Sequence, residues 1–310
     1  MALIPALTDF TFMEEKKGKL FVNSPNALDG NIASKCDTAA AKFQSEETGL
    51  VDGVGTEADI LAQIRALVGM LPANNEDEAY TECTDNLNRA CPDLANCAGD
   101  TGILLSQISD NGVVFETKKN YAKDMVTAFI RLNGATVGAV ANRSEIYGTD
   151  GTLEETFDGT LSAKGAKKAA AFVKFCDAFG IPVLTITNVK GFKATKCSEK
   201  FMAQNAAELT YAFADATVPK VNVVVGQAYG SAYLAMNSKS IGADMVFAWP
   251  NAEIGMMDAK AAAKIMYADE DLATINEKAA EYATLQNNVT SAARRGYVDT
   301  IIEPEDTRKY

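Results

Sequence analysis

One segment of the chain has the residue types needed to bind a negatively charged oxygen. The segment Gly226-Gln-Ala-Tyr-Gly-Ser-Ala-Tyr follows the apolar run Val221-Asn-Val-Val-Val and precedes a helix rich in small residues. Small residues let the backbone approach a ligand, and the N-terminus of a helix directs free N–H groups at negative charge. The spacing is not G-x-G-x-x-G, which argues against a dinucleotide-binding loop. Tight contact between strand and helix would also explain the small residues without any ligand.

The chain contains no histidine among its 310 residues. This absence excludes Ser-His-Asp and Cys-His nucleophile pairs, H-E-x-x-H metal sites and histidine general bases within this chain. The six cysteines are too few and too scattered for a disulfide scaffold in a chain of this length. Three of them, Cys83, Cys91 and Cys97, cluster without C-x-x-C spacing, so we expect no metal site. Any reaction at this chain must use backbone dipoles, carboxylates, Lys, Tyr, Cys, or a group that a substrate, a cofactor or another chain supplies.

The charge of the chain limits its partners. Asp plus Glu number 41 and Lys plus Arg 29, which gives a net charge of −12. A chain this acidic is a poor general nucleic-acid binder, because duplex binding depends on neutralising phosphates. No run approaches the roughly 20 apolar residues that span a bilayer, and the N-terminal residues lack the basic region of a signal peptide. The sequence therefore predicts a cytoplasmic protein without a nucleic-acid partner.

Two further segments are expected beside the first. Gly191-Phe192 follows the predicted strand that begins at Val183, and Phe247-Ala-Trp-Pro-Asn-Ala-Glu-Ile ends the one that begins at Met245. Ligands of open α/β sheets bind outside the carboxyl ends of the strands, where all three segments are expected to lie. They are consistent with a site for an oxyanion, although ordinary turns between strands and helices would use similar residues.

The elements that position these segments alternate between strand and helix. Asn133-Gly134 between two strand-like runs predicts a β-hairpin. A helix closed by Gly180 and a second helix capped by Ser198 are predicted to alternate with the strands. The residues expected on their buried faces are Ala166, Ala169, Ala170, Val173 and Cys176 in the first helix, and Met202, Ala206, Leu209 and Phe213 in the second. This order predicts an α/β layer fold with right-handed connections.

A smaller unit is predicted before residue 72. Leu20-Phe-Val is strand-like, and Thr56 is expected to cap a helix. The apolar residues on one face of that helix are Ile60, Ile64, Leu67 and Val68. These elements supply too little core for a free-standing fold. The following residues, beginning with Pro72-Ala-Asn-Asn-Glu-Asp-Glu, have no apolar periodicity and predict a linker.

Six segments, in order along the chain, resemble the carboxyltransferases of biotin-dependent enzymes. They are residues 121–142, 172–185, 216–221, 228–239, 242–254 and 295–308. The similarity extends over essentially the whole chain, to β chains of acyl-CoA carboxylases and α chains of sodium-pumping acyl-CoA decarboxylases, methylmalonyl-CoA decarboxylase especially. It implies an α/β fold of the crotonase type, a ββα superhelix. It also implies an enzyme that moves a carboxyl group between biotin, held on a separate carrier, and an acyl-CoA substrate.

The resemblance also assigns site residues. The biotin oxygen would face the amides of Ser231 and Ala232, with Gly230 making the turn. Two anionic oxygens need stabilising, on the biotin urea and on the thioester, and two preorganised N–H groups for each are the usual device. Released biotin can take the α-proton itself, so no enzyme base is required and the absence of histidine is permitted. Other residues implied in binding are Gly191, Phe192, Tyr229, Tyr233, Leu234, Ala252, Glu253 and Ile254.

The resemblance further implies a division of the chain and a set of partners. Ala6-Leu-Thr-Asp-Phe-Thr-Phe-Met resembles the family segment just after its first oxyanion loop. We therefore expect residues 1–71 to be the tail of an N-terminal carboxyltransferase domain, 72–99 a linker and 100–310 a C-terminal crotonase-like domain. Another chain would supply the rest of the first domain and hold the acyl-CoA oxygen. A biotin carrier protein and a membrane sodium-pump subunit are further implied partners, in a homo-oligomer or hetero-complex.

Two positions depart from the family pattern, and two other functions stay open. Ser231 stands where the family usually has Gly, and Lys190 where it usually has Pro. A serine there keeps its backbone donor in place only if its φ is negative. Leu234 matches a position associated with acyl-chain choice, and it indicates only that this position is not strongly polar. A crotonase-type hydratase or isomerase would need carboxylates, for which Glu253 is the one candidate near the motif. A non-catalytic assembly subunit is the other alternative.

Overall fold

The computed structural model describes residues 2–310, and its main feature is one eight-stranded sheet flanked by helices. The strands are β1 Phe12–Glu14, β2 Gly53–Gly55, β3 Val114–Thr117, β4 Met125–Leu132, β5 Ala135–Asn142, β6 Glu145–Tyr147, β7 Leu153–Thr156, β8 Val183–Val189, β9 Lys220–Tyr229, β10 Met245–Ala248, β11 Glu253–Gly255 and β12 Thr300–Ile301. The helices are α1 Ala41–Glu46, α2 Glu57–Met70, α3 Thr101–Ile108, α4 Ala163–Ala178, α5 Lys196–Asp215, α6 Gly230–Ala235, α7 Ala259–Met266, α8 Leu272–Tyr282 and α9 Val289–Arg294. The predicted α/β class is therefore confirmed.

The large sheet joins an antiparallel hairpin to a run of parallel strands. Its order is β12-β10-β9-β8-β5-β4-β3, and β11 pairs with β9 beyond that path. Strands β5, β8, β9, β10 and β12 are parallel, whereas β3 and β4 are antiparallel to their neighbours. The predicted hairpin is confirmed: Asn133 and Gly134 link β4 to β5 with φ values of 52° and 80°. Two positive φ angles in a two-residue loop define the type I′ turn that Asn-Gly favours.

Helices cover both faces of this sheet, and the strand residues alternate between two cores. Val224 of β9 packs with α4 and α5, which contribute Val173, Leu209 and Phe213 to the first core. Its neighbours Val223 and Val225 belong to the second core, on the face covered by α3. This is the period of two expected for a strand buried on both sides. Gly180, with φ of 66°, ends α4 before β8, as predicted.

Two of the predicted local features are wrong. Residues 20–22 form no strand, because the backbone of Leu20 is satisfied by Ala39 and by the side-chain amide of Gln44. The N-cap of helix α5 lies three residues before the predicted one. Thr195 is its N-cap and accepts a hydrogen bond from the amide of Ser198, 3.1 Å away. Threonine and serine both cap helices, so composition alone did not separate them.

The N-terminal residues pack on the larger part of the structure. Thr56 caps α2 as predicted and forms a capping box with Asp59. Of the apolar face predicted for α2, Leu67 is buried, whereas Val68 is 65% exposed. Between α2 and α3 the described residues form a single short helical turn, Leu94–Cys97, and Leu94 is fully buried in the second core. The three-part division at residues 72 and 100 stays a prediction.

Lys168 of α4 lies fully inside the protein and organises the loop that leads to the hairpin. Its ammonium group donates to the backbone carbonyls of Lys118, Tyr121 and Met125, at 3.0, 2.8 and 2.7 Å. Burial lowers the pKa of Lys168 to about 7. A cavity of about 400 Å³ beside it separates the N-terminal residues from α4 and contains none of the three segments expected at the site. Lys168 therefore acts in the fold and not at the candidate site.

We expect Lys168→Met to lower the free energy of unfolding by at least about 2 kcal/mol, since it removes three hydrogen bonds of an ammonium group, two of them to the buried carbonyls of Tyr121 and Met125. Methionine has a similar length, so the loss of volume is small. Denaturant titration of the variant against Lys167→Met, a change at the exposed neighbouring residue, measures the difference. An unchanged or raised stability for Lys168→Met would show that relief from burying the charge outweighs the lost hydrogen bonds.

The described part of the chain contains neither a membrane-crossing helix nor a metal-binding cluster. Across residues 2–310, no helix is both long enough and apolar enough to span a bilayer. Within the same residues, no three Cys, Asp or Glu side chains are grouped as metal ligands. All six cysteines are free in this structure.

Candidate functional site

Three neighbouring parallel strands bring the predicted segments to one edge of the sheet. β9 pairs with β8 on one side and with β10 on the other, so their carboxyl ends are adjacent. Gly191-Phe192 follows β8, α6 follows β9, and residues 249–252 follow β10. β11 then returns beside the end of β9, with Ile254 opposite Ala228. The structure therefore brings together the three segments that the sequence placed at strand ends.

The turn at Gly230 exposes the N-terminus of a six-residue helix. Strand β9 extends to Tyr229 because it pairs with β11, so α6 begins at Gly230 and not nearer Gly226. Gly230 has φ of 59°, and a Cβ atom there would lie 3.0 Å from the carbonyl oxygen of Met256. Both facts favour glycine at this position. No side chain caps α6, which leaves its first N–H groups available to a ligand.

Ser231 and Ala232 provide the first amides after this turn. Ser231 is exposed, and its φ is negative, which is the condition under which serine keeps the backbone donor that glycine would present. Ala232 is buried, so its methyl group fixes the first turn of α6 against the core. The geometry thus offers backbone N–H groups beside an exposed side chain. Such donors bind and stabilise an anionic oxygen.

The other predicted binding residues divide into exposed and buried groups. Leu234 is 41% exposed on α6, and Phe192 is partly buried against the core. Gly191 has φ of 151° and accepts a hydrogen bond from the amide of Leu161. Four predicted contacts, namely Tyr229, Tyr233, Ala252 and Ile254, are buried. Tyr233, Ala252 and Ile254 belong to the first core.

Tyr229 and Glu253 are paired with each other. The phenol of Tyr229 donates a hydrogen bond to the carboxylate of Glu253, and Tyr229 is only 2% exposed. Burial, together with this carboxylate, raises the pKa of Tyr229 well above its usual value, so the phenol stays protonated. Burial also raises the pKa of Tyr233 to about 12. Glu253 therefore has a partner, which removes it from the position of a free general base.

Buried amides and hydroxyls, which the sequence analysis did not identify, hold the strand ends in place. The amide of Asn188 donates to the side chain of Asn142, and the Asn188 side chain accepts from the amide of Gln227. Below α6, the side chain of Asn222 donates to the carbonyl of Met236 and accepts from Thr187. Polar residues inside a strand are the only signal for such groups, and they do not reveal their partners. These bonds tie β5, β8 and β9 to each other and to α6.

A second missed element lies below the turn. Asn287 is fully buried at the end of a π-helical turn, Ala283–Asn287, and its side chain donates to the carbonyl of Met257, 3.0 Å away. Turns of this type occur frequently at functional sites. The sequence carries no local signal for a π turn, although the pair Asn287-Asn288 before α9 is typical of a helix start.

Comparison with known proteins gives one consistent family. Residues 1–310 match the family described as the carboxyl transferase domain. The chain is 34% identical over 318 residues to methylmalonyl-CoA decarboxylase subunit alpha of Veillonella parvula, covering 98% of this chain and 60% of that protein. It is 37% identical over 319 residues to a putative propionyl-CoA carboxylase beta chain of Bacillus subtilis, covering 98% and 61%.

Solved structures agree with this result. Transcarboxylase 12S, crystallised as a hexamer core with methylmalonyl-CoA and methylmalonic acid bound, is 34% identical and superposes with a TM-score of 0.89. That likeness covers 98% of this chain and 60% of the solved one. The chain thus spans about 60% of the length of the relatives that it matches.

Proposed function

The chain belongs to the carboxyl transferase domain family, and from that premise we propose that it is the biotin-facing part of a carboxyltransferase acting on an acyl-CoA. The family and the predicted crotonase-like fold are shown by the relatives and by the transcarboxylase structure. The reaction of the whole enzyme, its substrate and its partners are the proposal. The substrate class that we infer is a short acyl-CoA of the methylmalonyl or propionyl type, as in the names of the relatives.

One observation carries this proposal: the turn at Gly230 presents uncapped backbone N–H groups at the carboxyl edge of the sheet. The amides of Ser231 and Ala232 would hold the urea oxygen of biotin, and Gly230 would direct them toward it. Carboxylated biotin supplies the carboxyl group. After that group has left, the urea oxygen of biotin carries negative charge. Two preorganised N–H donors are worth most when charge develops on the oxygen they face. The donor set in the structure therefore fits the urea group of biotin.

The residues around the turn would shape the site. Leu234, exposed on α6, gives an apolar surface to the acyl group, and Gly191 with Phe192 would bound the biotin side. The proposed mechanism requires no general base from this chain, because the proton on the α-carbon is taken by biotin. The paired state of Glu253 agrees with that division of roles. It also disfavours the hydratase or isomerase alternative, in which a carboxylate must be free to transfer protons.

We further propose that the acyl-CoA oxygen is held by an N-terminal carboxyltransferase domain outside residues 1–310. The chain spans about 60% of its relatives, and exposed apolar residues on α2, among them Leu61 and Val68, provide a surface for such a neighbour. The complex would work with a biotin carrier protein, and in a decarboxylase with a membrane subunit. The transcarboxylase relative is described as a hexamer, which supports an oligomeric assembly.

We expect the 310-residue chain alone to produce no biotin-dependent propionyl-CoA from methylmalonyl-CoA above background, because one of the two oxyanion sites is supplied from outside it. Adding a separately produced N-terminal carboxyltransferase domain is expected to give turnover that requires biotin. Thioester analysis by chromatography measures the product, and sedimentation at micromolar concentration shows whether the two polypeptides form a species larger than 33.0 kDa.

Two other outcomes would change the proposal. Full turnover by the chain alone, at the rate of a two-domain enzyme, would refute the division of the site between domains. Stable association without any turnover would favour an assembly subunit over an enzyme.

A further inference from the structure

Two connections fasten a short segment of backbone beneath the turn at Gly230. We call this segment, residues 253–257, the floor segment. At its first residue, the Glu253 carboxylate accepts a hydrogen bond from the phenol of Tyr229, the residue directly before Gly230. At its last residue, the carbonyl of Met257 accepts a hydrogen bond from the side chain of Asn287. Tyr229 and Asn287 are both buried, which shields their ends of these two hydrogen bonds from water.

The floor segment is in direct contact with the turn. The Met256 carbonyl lies 3.0 Å from the position that a Cβ atom on Gly230 would occupy. Gly255 lies opposite Tyr229 in the register of β11 with β9, and a side chain at Gly255 would collide with the side-chain amide of Asn287. The backbone of the floor segment is therefore confined between Asn287 on one side and Gly230 on the other.

We propose that Tyr229, Glu253 and Asn287 are positioning residues, which set the direction of the Ser231 and Ala232 N–H groups by fixing the floor segment. This inference rests on the proposed function and deepens it. The polar side-chain atoms of Tyr229 and Glu253 bind each other, and the side-chain nitrogen of Asn287 binds the Met257 carbonyl. A catalytic N–H group must lie within about 0.5 Å of its productive position relative to the oxygen. A displacement of that group by about 1 Å can lower the rate by about 10²-fold.

The chemistry of the pair separates positioning from acid–base catalysis. A positioning carboxylate has only to accept the hydrogen bond of Tyr229, and the amide oxygen of glutamine can do the same. A general base has to take up a proton, which glutamine cannot do. Glu253→Gln and Glu253→Ala therefore give different results only if Glu253 works through Tyr229.

The test measures kcat and KM in the assembled enzyme with biotin and methylmalonyl-CoA. We expect Tyr229→Phe and Glu253→Ala each to lower kcat about tenfold and to leave the KM for the acyl-CoA unchanged. Their combination is expected to lower kcat by about the same factor, because both remove one connection. Glu253→Gln is expected to stay within about threefold of the wild type. Tyr211→Phe, at an exposed tyrosine of α5, is the control and should have no effect.

A second measurement does not depend on the reaction. In amide hydrogen exchange, peptides that include residues 229–235 are expected to exchange faster in Tyr229→Phe than in the wild type, and not in Tyr211→Phe. If the wild-type assembly transfers no carboxyl group, the proposed function fails, whereas the exchange result still judges the positioning role. Equal loss of activity in Glu253→Gln and Glu253→Ala would overturn this inference, and so would a tenfold-smaller kcat for the double variant than for either single one. Unchanged exchange in Tyr229→Phe would overturn it as well.

Discussion

Replacing Ala232 by proline is expected to lower the turnover of the assembled enzyme by about 10²- to 10³-fold, whereas Ser231→Ala is expected to stay within about tenfold. Proline has no N–H group, so the change removes one of the two donors assigned to the biotin oxygen. Ser231→Ala and Ser231→Gly leave every backbone donor in place. The comparison therefore separates the backbone of the turn from the side-chain chemistry of serine.

Because Ala232 lies in the first turn of α6, the loss of its N–H group can be tested without breaking a hydrogen bond of the helix. The amides of a first turn have no partner within the helix, so proline there removes no helical hydrogen bond. Lys164→Pro, at an exposed residue in the first turn of α4, controls for the effect of a proline in the first turn of a helix and should keep its activity. Circular dichroism and thermal unfolding of both proline variants check that the fold persists.

An amide-to-ester replacement at residue 232 removes the same donor without a proline ring, and a loss of about the same size is expected. The opposite pattern would assign the site differently. If well-folded Ser231→Ala lost its activity while Ala232→Pro stayed nearly neutral, the serine hydroxyl would be the functional group. No histidine in this chain is available to activate it as a nucleophile.

The edge of the sheet could be predicted because its signals are local. Asn133-Gly134 specifies its turn through two residues that accept positive φ, and the apolar run after Lys220 is long enough to predict a buried strand. Small residues directly after such a strand mark the place where backbone can meet a ligand. These patterns, together with the parallel order of the strands, predicted that Gly191, Ser231 and Glu253 lie at one edge of the sheet.

The contacts that shape the site could not be predicted, because they join residues distant in sequence. Asn287 reaches the floor segment from 30 residues downstream of Met257, across α7 and α8. The pairing of Glu253 with Tyr229 depends on the register of β11, a three-residue strand with too little pattern to detect. The same limit explains the error at Leu20, whose carbonyl accepts from Gln44, 24 residues away. The error at Ser198 is local, because Thr195, three residues earlier, caps the helix instead.

The sequence also did not show which residues of the predicted site are buried. Ala252 and Ile254 were assigned to binding through the resemblance, yet both are buried in the first core. A family motif combines residues that contact the ligand with residues that hold those in place, and the sequence does not separate the two classes. Exposure separates them: Ser231 and Leu234 are open to solvent, whereas Ala232 is buried and, in the proposed site, would contribute only its backbone N–H group.

Gly230→Ala is expected to lower turnover by about 10- to 10²-fold, although its effect on stability should be only about 1 kcal/mol. Alanine at a φ of 59° is strained by about that amount, and its Cβ atom would press on the Met256 carbonyl at 3.0 Å. The strain can be relieved by a rotation of the backbone at residue 230 or by a shift of the floor segment. Both changes alter the direction of the next two amides. The consequence for an oxyanion site is a larger loss of rate than of stability.

Gly180→Ala provides the matched control for this variant. Gly180 has nearly the same φ, 66°, with no atom within 4 Å of the position its Cβ would take, and it ends α4 at the opposite edge of the sheet. We expect it to lose about the same 1 kcal/mol in denaturant titration and none of its turnover. Equal losses of turnover in the two variants would mean that activity follows general stability. A normal rate for Gly230→Ala would mean that the amides of Ser231 and Ala232 do not need the geometry of this turn, which would remove the oxyanion from this site.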